Sequence, residues 1–130
     1  MSCLVGAVDH FVLYVESIET ASEFYRSLLG FTVVISDENR VSLHHTNGKI
    51  NLHKAEKPFS PCARNPISGS ADFCFIVTIP LEKLIERCHE IEVEIIEGPV
   101  ARTGSSGPIE SIYVRDPDGN LVELSCAMKR

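Results

Sequence analysis

The sequence lacks most of the features that would send it to a membrane, a nucleic acid or an oxidising compartment. It has no excess of basic residues. Its net charge is -6, and no basic stripe exists to displace counterions from a phosphate backbone or an anionic lipid surface. No run approaches the ~18 apolar residues of a membrane-spanning helix. The first residues lack a charged segment followed by an apolar one, so no secretory signal is expected. The five cysteines, Cys3, Cys62, Cys74, Cys88 and Cys126, are odd in number and never form a C-x-x-C pair. Zinc-ribbon and thioredoxin-like readings therefore fail, and scattered thiols suit a reducing cytoplasm. No low-complexity segment is present.

What is present fits one globular unit. A chain of 130 residues, 44% hydrophobic and 23% charged, is long enough to bury a core without staples. Val8–Val15 alternates as a strand with both faces covered. Ser17 stands where a helix N-cap belongs, with Glu19 in the first turn. Ala21, Phe24, Tyr25, Leu28 and Leu29 follow at helical spacing, and Gly30 ends the helix. Three strands come next: Phe31–Ser36, Arg40–His45 and Lys49–Lys54. Asp37-Glu38-Asn39 and Asn47-Gly48 turn the chain between them. A proline-bearing linker runs from Lys57 to Ser70, with Pro58, Pro61 and Pro66.

The order then repeats. Asp72–Thr78 reads as a strand. Pro80 opens a helix as its first residue, with Leu81, Leu84, Ile85 and Cys88 on one face. Val93–Glu97 reads as a strand and Gly98–Pro108 as a loop. Glu110–Arg115 and Asn120–Cys126 are strands joined by the turn Asp116-Pro117-Asp118-Gly119. The chain thus predicts an α+β fold of two βαβββ modules, residues 8–54 and 71–126, joined by linker 57–70 within a single domain. Internal duplication explains the pattern economically. It sets His10 opposite Asp72 and Asn51 opposite Glu123.

Polar residues interrupt the apolar strands at His10, Asn51, His53 and Glu123, with Asp72 as a fifth. Asn51 and His53 are two apart and project to one face. A carboxylate between Val122 and Leu124 calls for a partner or a metal, because burial of an unpaired charge costs several kcal/mol. Two imidazoles and a carboxylate suit Zn²⁺, Ni²⁺, Mn²⁺ or Fe²⁺. The same residues also admit plainer roles: a satisfied core histidine, an edge carboxylate facing water, and a structural asparagine.

Two segments carry a family likeness. One is Val8-Asp9-His10-Phe11-Val12-Leu13 through Glu23-Phe24-Tyr25-Arg26-Ser27-Leu28-Leu29-Gly30-Phe31. The other is Ser111-Ile112-Tyr113-Val114-Arg115-Asp116-Pro117-Asp118-Gly119-Asn120-Leu121-Val122-Glu123. Together they resemble the vicinal oxygen chelate superfamily of glyoxalases, bleomycin-resistance proteins and extradiol dioxygenases. Lys49-Ile50-Asn51-Leu52-His53 and Glu97–Ile109 bring the chain nearest the glyoxalase domain-containing protein 5 group. The resemblance implies a cupped, barrel-like sheet with helices outside. It implies metal ligands on the first and last strands of a module, which carry over to His10 and Glu123. Asn51 and Asp72 depart from the usual residues at the other two positions, so His53 is expected as the third ligand.

By likeness to fosfomycin-resistance proteins within that superfamily, Ser111 and Tyr113 would face the cup and Arg102 would hold an anion. Asn51 is expected among the substrate-binding residues. The implied activity is that of a metal-dependent lyase or isomerase of the glyoxalase type. Its substrate would be a small molecule with neighbouring oxygens, and Glu123 and Tyr113 would move the proton. A thiol transferase or hydrolase, an extradiol-type dioxygenase and a metal-free ligand-sequestering protein are the alternatives. The resemblance also implies a homodimer.

Overall fold

The computed structural model describes residues 1–128 of the chain. Two compact units divide at Ser68 and Gly69. In the first, strands β1 (His10–Val15), β2 (Thr32–Ile35), β3 (Val41–His45) and β4 (Gly48–Lys54) accompany helix α1 (Ile18–Leu29). In the second, β5 (Asp72–Ile76), helix α2 (Leu81–Glu90), β6 (Glu97–Gly104), β7 (Gly107–Arg115) and β8 (Leu121–Ala127) follow in the same order. Each unit has one four-stranded mixed sheet, ordered β1-β4-β3-β2 and β5-β8-β7-β6. The expected α+β class and the paired βαβββ modules are both observed.

Local chemistry explains the first helix. Ser17 has extended backbone angles, and its hydroxyl accepts from the Thr20 amide at 3.2 Å, which satisfies one of the donors a helix start leaves open. Gly30 ends the helix at φ 74°; only glycine enters that region without steric cost. Ala21, Tyr25 and Leu28 are buried, meeting a core of Leu13, Val15, Leu43, Ile50 and Leu52 in the first module. In the second module Leu81, Leu84 and Cys88 of α2 are buried, as are Ile112, Val114, Val122 and Leu124 of the sheet.

In each module the first and last strands pair in parallel, and their registers correspond. His10 lies opposite Lys49 and Val12 opposite Asn51. Asp72 lies opposite Leu121 and Cys74 opposite Glu123. His10 and Asp72 therefore occupy equivalent positions, as do Asn51 and Glu123. The duplication read from the strands is carried in the hydrogen-bond register itself.

The structure corrects three boundaries. β1 begins at His10, since Val8 and Asp9 have no strand partner. Pro80 is the cap of α2, not its first residue. More consequentially, no strand forms over 93–96, and most of the expected loop Gly98–Pro108 is the hairpin β6–β7. Glycine, proline and serine made that segment read as a loop. Pairing with β7 makes it a strand, because the tertiary partner supplies hydrogen bonds that local composition does not advertise.

A bulge makes the hairpin possible. Glu97 lies opposite Tyr113, yet Val100 lies opposite Ser111, so three steps on β6 match two on β7. Gly98, at φ 109°, lies in the bulge, and a Cβ there would collide with the Ser111 carbonyl oxygen. Glycine is the residue this close approach requires.

The turn before β8 is a closed hydrogen-bond unit. The buried Asp116 carboxylate accepts from the Asp118 and Asn120 amides at 3.0 Å and from the Asn120 side chain at 2.8 Å. Asn120 in turn accepts from the Ala71 amide at 2.9 Å, tying the turn to the start of β5. We predict that Asn120→Ala lowers stability by about 1–3 kcal/mol, because it strands a buried carboxylate oxygen and an amide. Urea titration will show a lower midpoint at unchanged slope.

Candidate functional site

The second module places its polar residues on the sheet face turned away from its apolar core. Strand alternation puts Ser111, Tyr113 and Arg115 on that face of β7. Register adds Glu123 opposite Tyr113, and Cys74 opposite Glu123. A cleft of about 450 Å³ opens there, lined by Asp72, Ile96, Glu97, Arg102, Tyr113, Arg115, Leu121 and Glu123. That volume lies within the range of small-molecule sites.

Glu123 is half-buried and anchored from behind. The Ser111 hydroxyl donates to its Oε2 at 2.7 Å, and the Ser125 hydroxyl donates to the same oxygen at 3.4 Å. Ser111 and Ser125 are 2.7 Å apart, and the Cys74 thiol lies 3.2 Å from Ser125. Burial raises the Cys74 pKa, so that group stays a thiol at neutral pH. Both carboxylate bonds land on Oε2, and among the described residues Oε1 has no donor. Ser111 is 0% exposed. Ser111, expected to touch substrate, gives its hydroxyl proton to Glu123 in this structure.

Tyr113 is anchored from the other side. Arg102 Nε donates to its phenol oxygen at 2.9 Å, and the Arg102 guanidinium lies 5.5 Å from the ring centre. Arg102 also donates to the Ala101 carbonyl at 3.0 Å and to Glu97 Oε2 at 2.5 Å. The phenol oxygen is an acceptor in this arrangement, which leaves its own proton available to a ligand. No strand periodicity in the sequence points Glu97 at Arg102. Residues 97 and 102 differ by five, so a regular strand would set them on opposite faces. The bulge at Gly98 turns them to the same one. Arg115 had a readable signal, the period-two spacing from Ser111 and Tyr113.

In the first module, β1 and β4 bring His10, Asn51 and His53 to one face, but not to one point. His10 pairs with Lys49 and His53 with Tyr14, four residues farther along. At about 3.3 Å per residue the two histidines are roughly 13 Å apart along the sheet. His10 Nδ1 donates to Asp9 Oδ2 at 2.8 Å. His53 is packed edge-on against Tyr14 and Phe59, with ring centres 5.9 and 5.1 Å away. Arg40 stacks over Phe59 at 4.2 Å. The linker is tied to this module: the Ala63 amide donates to the Tyr14 phenol at 2.9 Å, and Ser68 donates to Glu16 at 2.8 Å.

A model of the Glyoxalase/Bleomycin resistance protein/Dioxygenase superfamily matches residues 7–124. The chain belongs to this superfamily. The chain is 46% identical to virulence protein STM3117 of Salmonella typhimurium over 94% of its own length and 85% of that protein. The crystal structure of that protein superposes with a TM-score of 0.94 over 97% of this chain and 100% of the other. Glyoxalase domain-containing protein RDO1 of Mycosarcoma maydis is 42% identical over 93% of this chain and 68% of that protein. Lactoylglutathione lyase of Agrobacterium tumefaciens, at 22% identity, shares the fold with a TM-score of 0.73 over 95% of each chain. These likenesses establish the superfamily and leave its glyoxalase domain-containing protein 5 subgroup undecided.

Divalent metals are common in the superfamily, and holding one makes a geometric demand on the donors. A transition-metal ion lies about 2 Å from each imidazole nitrogen or carboxylate oxygen that binds it. Among the described residues, no three His, Cys, Asp or Glu side chains gather to hold one. His10 and His53, two of the expected ligands, therefore do not meet within the first module. The register holds the two imidazoles apart, and aromatic rings close over His53. Glu123 and Asp72 share the second module's cleft, but two carboxylates do not make a cage.

His53 has a different signature. Its Nδ1 is buried without a hydrogen-bond partner. Burial holds its pKa below the usual 6.5, and the positive charge of Arg40 adds to the effect. The folded state thus favours the neutral ring, and the unfolded chain binds the proton more readily. Stability from this group is fully present above pH 6.5 and is lost as pH falls below it. We predict that His53→Gln flattens this acid-side decline, measured as the urea midpoint between about pH 7.5 and pH 5.

Proposed function

We propose that this chain is an enzyme of the glyoxalase type, a lyase or isomerase that moves a proton on a small substrate with oxygens on neighbouring carbons. The observation that carries this reading is the cross-strand pair Glu123–Tyr113. Directly opposed residues of an antiparallel pair have Cβ atoms about 5 Å apart on the same face. One member is a carboxylate with an oxygen free of donors. The other is a phenol with its proton to give. Such a pair can take a proton from carbon while donating a hydrogen bond to the adjacent carbonyl oxygen.

The step follows from those two anchors. Glu123 accepts the proton from the carbon beside the carbonyl. The C–H electron pair moves into the carbonyl, and Tyr113 donates its hydrogen bond to the oxyanion that develops. Arg102 supports that charge by donating to the phenol oxygen. Ser111 keeps the carboxylate at the distance the transfer needs. Glu123 then returns the proton to the former carbonyl carbon, while the hydroxyl on the neighbouring carbon gives its own proton to the oxyanion and becomes the new carbonyl, so no oxidant or reductant is consumed. A divalent ion, Zn²⁺, Ni²⁺, Mn²⁺ or Fe²⁺, would supply Lewis-acid stabilisation of the same oxyanion. Metal analysis of purified protein, before and after addition of each ion, tests for it.

A homodimer and a cytoplasmic setting belong to the same proposal. Leu4, Val5 and Val8, before β1, are 88%, 73% and 75% exposed and supply apolar surface for a second copy. All five cysteines are free thiols, which suits a reducing compartment. No helix among the described residues is long and apolar enough to cross a membrane.

Proton exchange tests the central claim. Small hydroxyketones and glutathione hemithioacetals in D₂O, followed by proton NMR, should lose the C–H signal beside the carbonyl when protein is added. Glu123→Gln should slow that exchange roughly 10²–10⁴-fold. Tyr113→Phe should slow it roughly 10²-fold. Exchange at the wild-type rate in the Glu123 variant would sink the reading. Tight binding without any exchange would place the chain with ligand-sequestering proteins instead.

A further inference from the structure

Two arginines line the second module's cleft, and they are not equivalent. Arg102 is committed. Its Nε is on Tyr113, one terminal nitrogen is on the Ala101 carbonyl, and the other is on the Glu97 carboxylate. Its charge is neutralised by that carboxylate. Arg115 donates to the Gly119 carbonyl at 3.2 Å, and among the described residues no carboxylate stands within ion-pair distance of it. Asp72 lines the same cleft without forming an ion pair with Arg115. Both residues flank Leu121 in one cross-strand row, two strand spacings apart, roughly 9.6 Å.

The structure assigns Arg115 the task of holding an anionic group of the ligand, and with it a substrate class: small 2-oxo or 2-hydroxy carboxylates. This rests on the proposed function of the cleft, and it replaces Arg102 as the expected anion holder. Three observations converge. The first is the unneutralised guanidinium, whose planar fork matches a carboxylate in a two-point contact. The second is spacing. Arg115 and Tyr113 are successive residues on one face of β7, about 7 Å apart at the backbone. A carboxylate on one and a carbonyl oxygen on the other therefore belong to neighbouring carbons of a short molecule. The third is size, because about 450 Å³ admits a compact acid. Three carboxylates and two guanidiniums line the cleft, so it selects by where its charges stand and not by their sum.

Pyruvate and hydroxyacetone make the comparison, since they differ by a carboxylate against a neutral hydroxymethyl group. Binding of each to the full chain is measured by nitrogen-15 NMR titration. Wild-type protein should prefer pyruvate. Arg115→Gln should weaken pyruvate binding roughly ten- to a hundredfold, the range for loss of a charge-assisted contact, and leave hydroxyacetone unchanged. Arg115 is exposed, so the variant should keep the wild-type amide spectrum, and Arg115→Lys should recover part of the loss. The assignment is overturned if wild-type protein shows no preference for pyruvate. It is also overturned if Arg115→Gln binds pyruvate as the wild type does, or if hydroxyacetone weakens equally. Glu123→Gln, run in the same titration, keeps the two proposals separate. Loss of proton exchange in Glu123→Gln bears on the proposed function, whereas loss of the pyruvate preference in Arg115→Gln bears on the anion site.

Discussion

Parallel pairing of the first and last strands of each module governs what the fold can present. β1 lies on β4 and β5 on β8 in matching register, so every second residue faces the apolar core and its neighbours face away. The inward set is aliphatic: Leu13, Val15, Ile50 and Leu52 in one module, Val122 and Leu124 in the other. A slip by one residue would send these side chains out and polar ones in. The position of His10, Asn51 and Glu123 on the polar face is thus a consequence of core burial.

Within that frame, Glu123 is the costly residue. It stands between two fully buried neighbours, Val122 and Leu124, and a half-buried carboxylate needs donors. Ser111 and Ser125, both 0% exposed, supply them through hydroxyls that also bond each other. Serines at those two positions make sense only in view of the carboxylate they serve. The same logic holds across the strand, where Arg102 holds the Tyr113 phenol and Glu97 balances Arg102. The acid is fixed by buried hydroxyls, and the phenol by an arginine already paired with a carboxylate.

The two modules have parted in use while keeping one topology. The first has His53 where the second has Ser125. That imidazole is covered by Phe59 and packed against Tyr14, with the linker tied to Tyr14 through Ala63. The second module keeps an open cleft over the equivalent face. Duplication supplied two polar faces. Packing closed part of one with aromatic rings and left the other open.

Much of this was legible in the sequence. Ser17 and Gly30 announce the ends of α1, and Asp116-Pro117-Asp118-Gly119 announces the turn before β8, because capping and turn chemistry act over a few residues. Period-two spacing identifies the polar residues of β4, β7 and β8, and comparison of the halves pairs His10 with Asp72 and Asn51 with Glu123. By itself, then, the sequence determined the module order, the apolar face of each strand and the superfamily. Tertiary structure alone decided which polar residues meet. It turned a glycine- and proline-bearing stretch into β6, and the bulge at Gly98 brought Glu97 round to Arg102. It set His10 and His53 some 13 Å apart along paired strands. Register, bulges and the cover over a side chain depend on partners distant in the chain, and no local pattern encodes them.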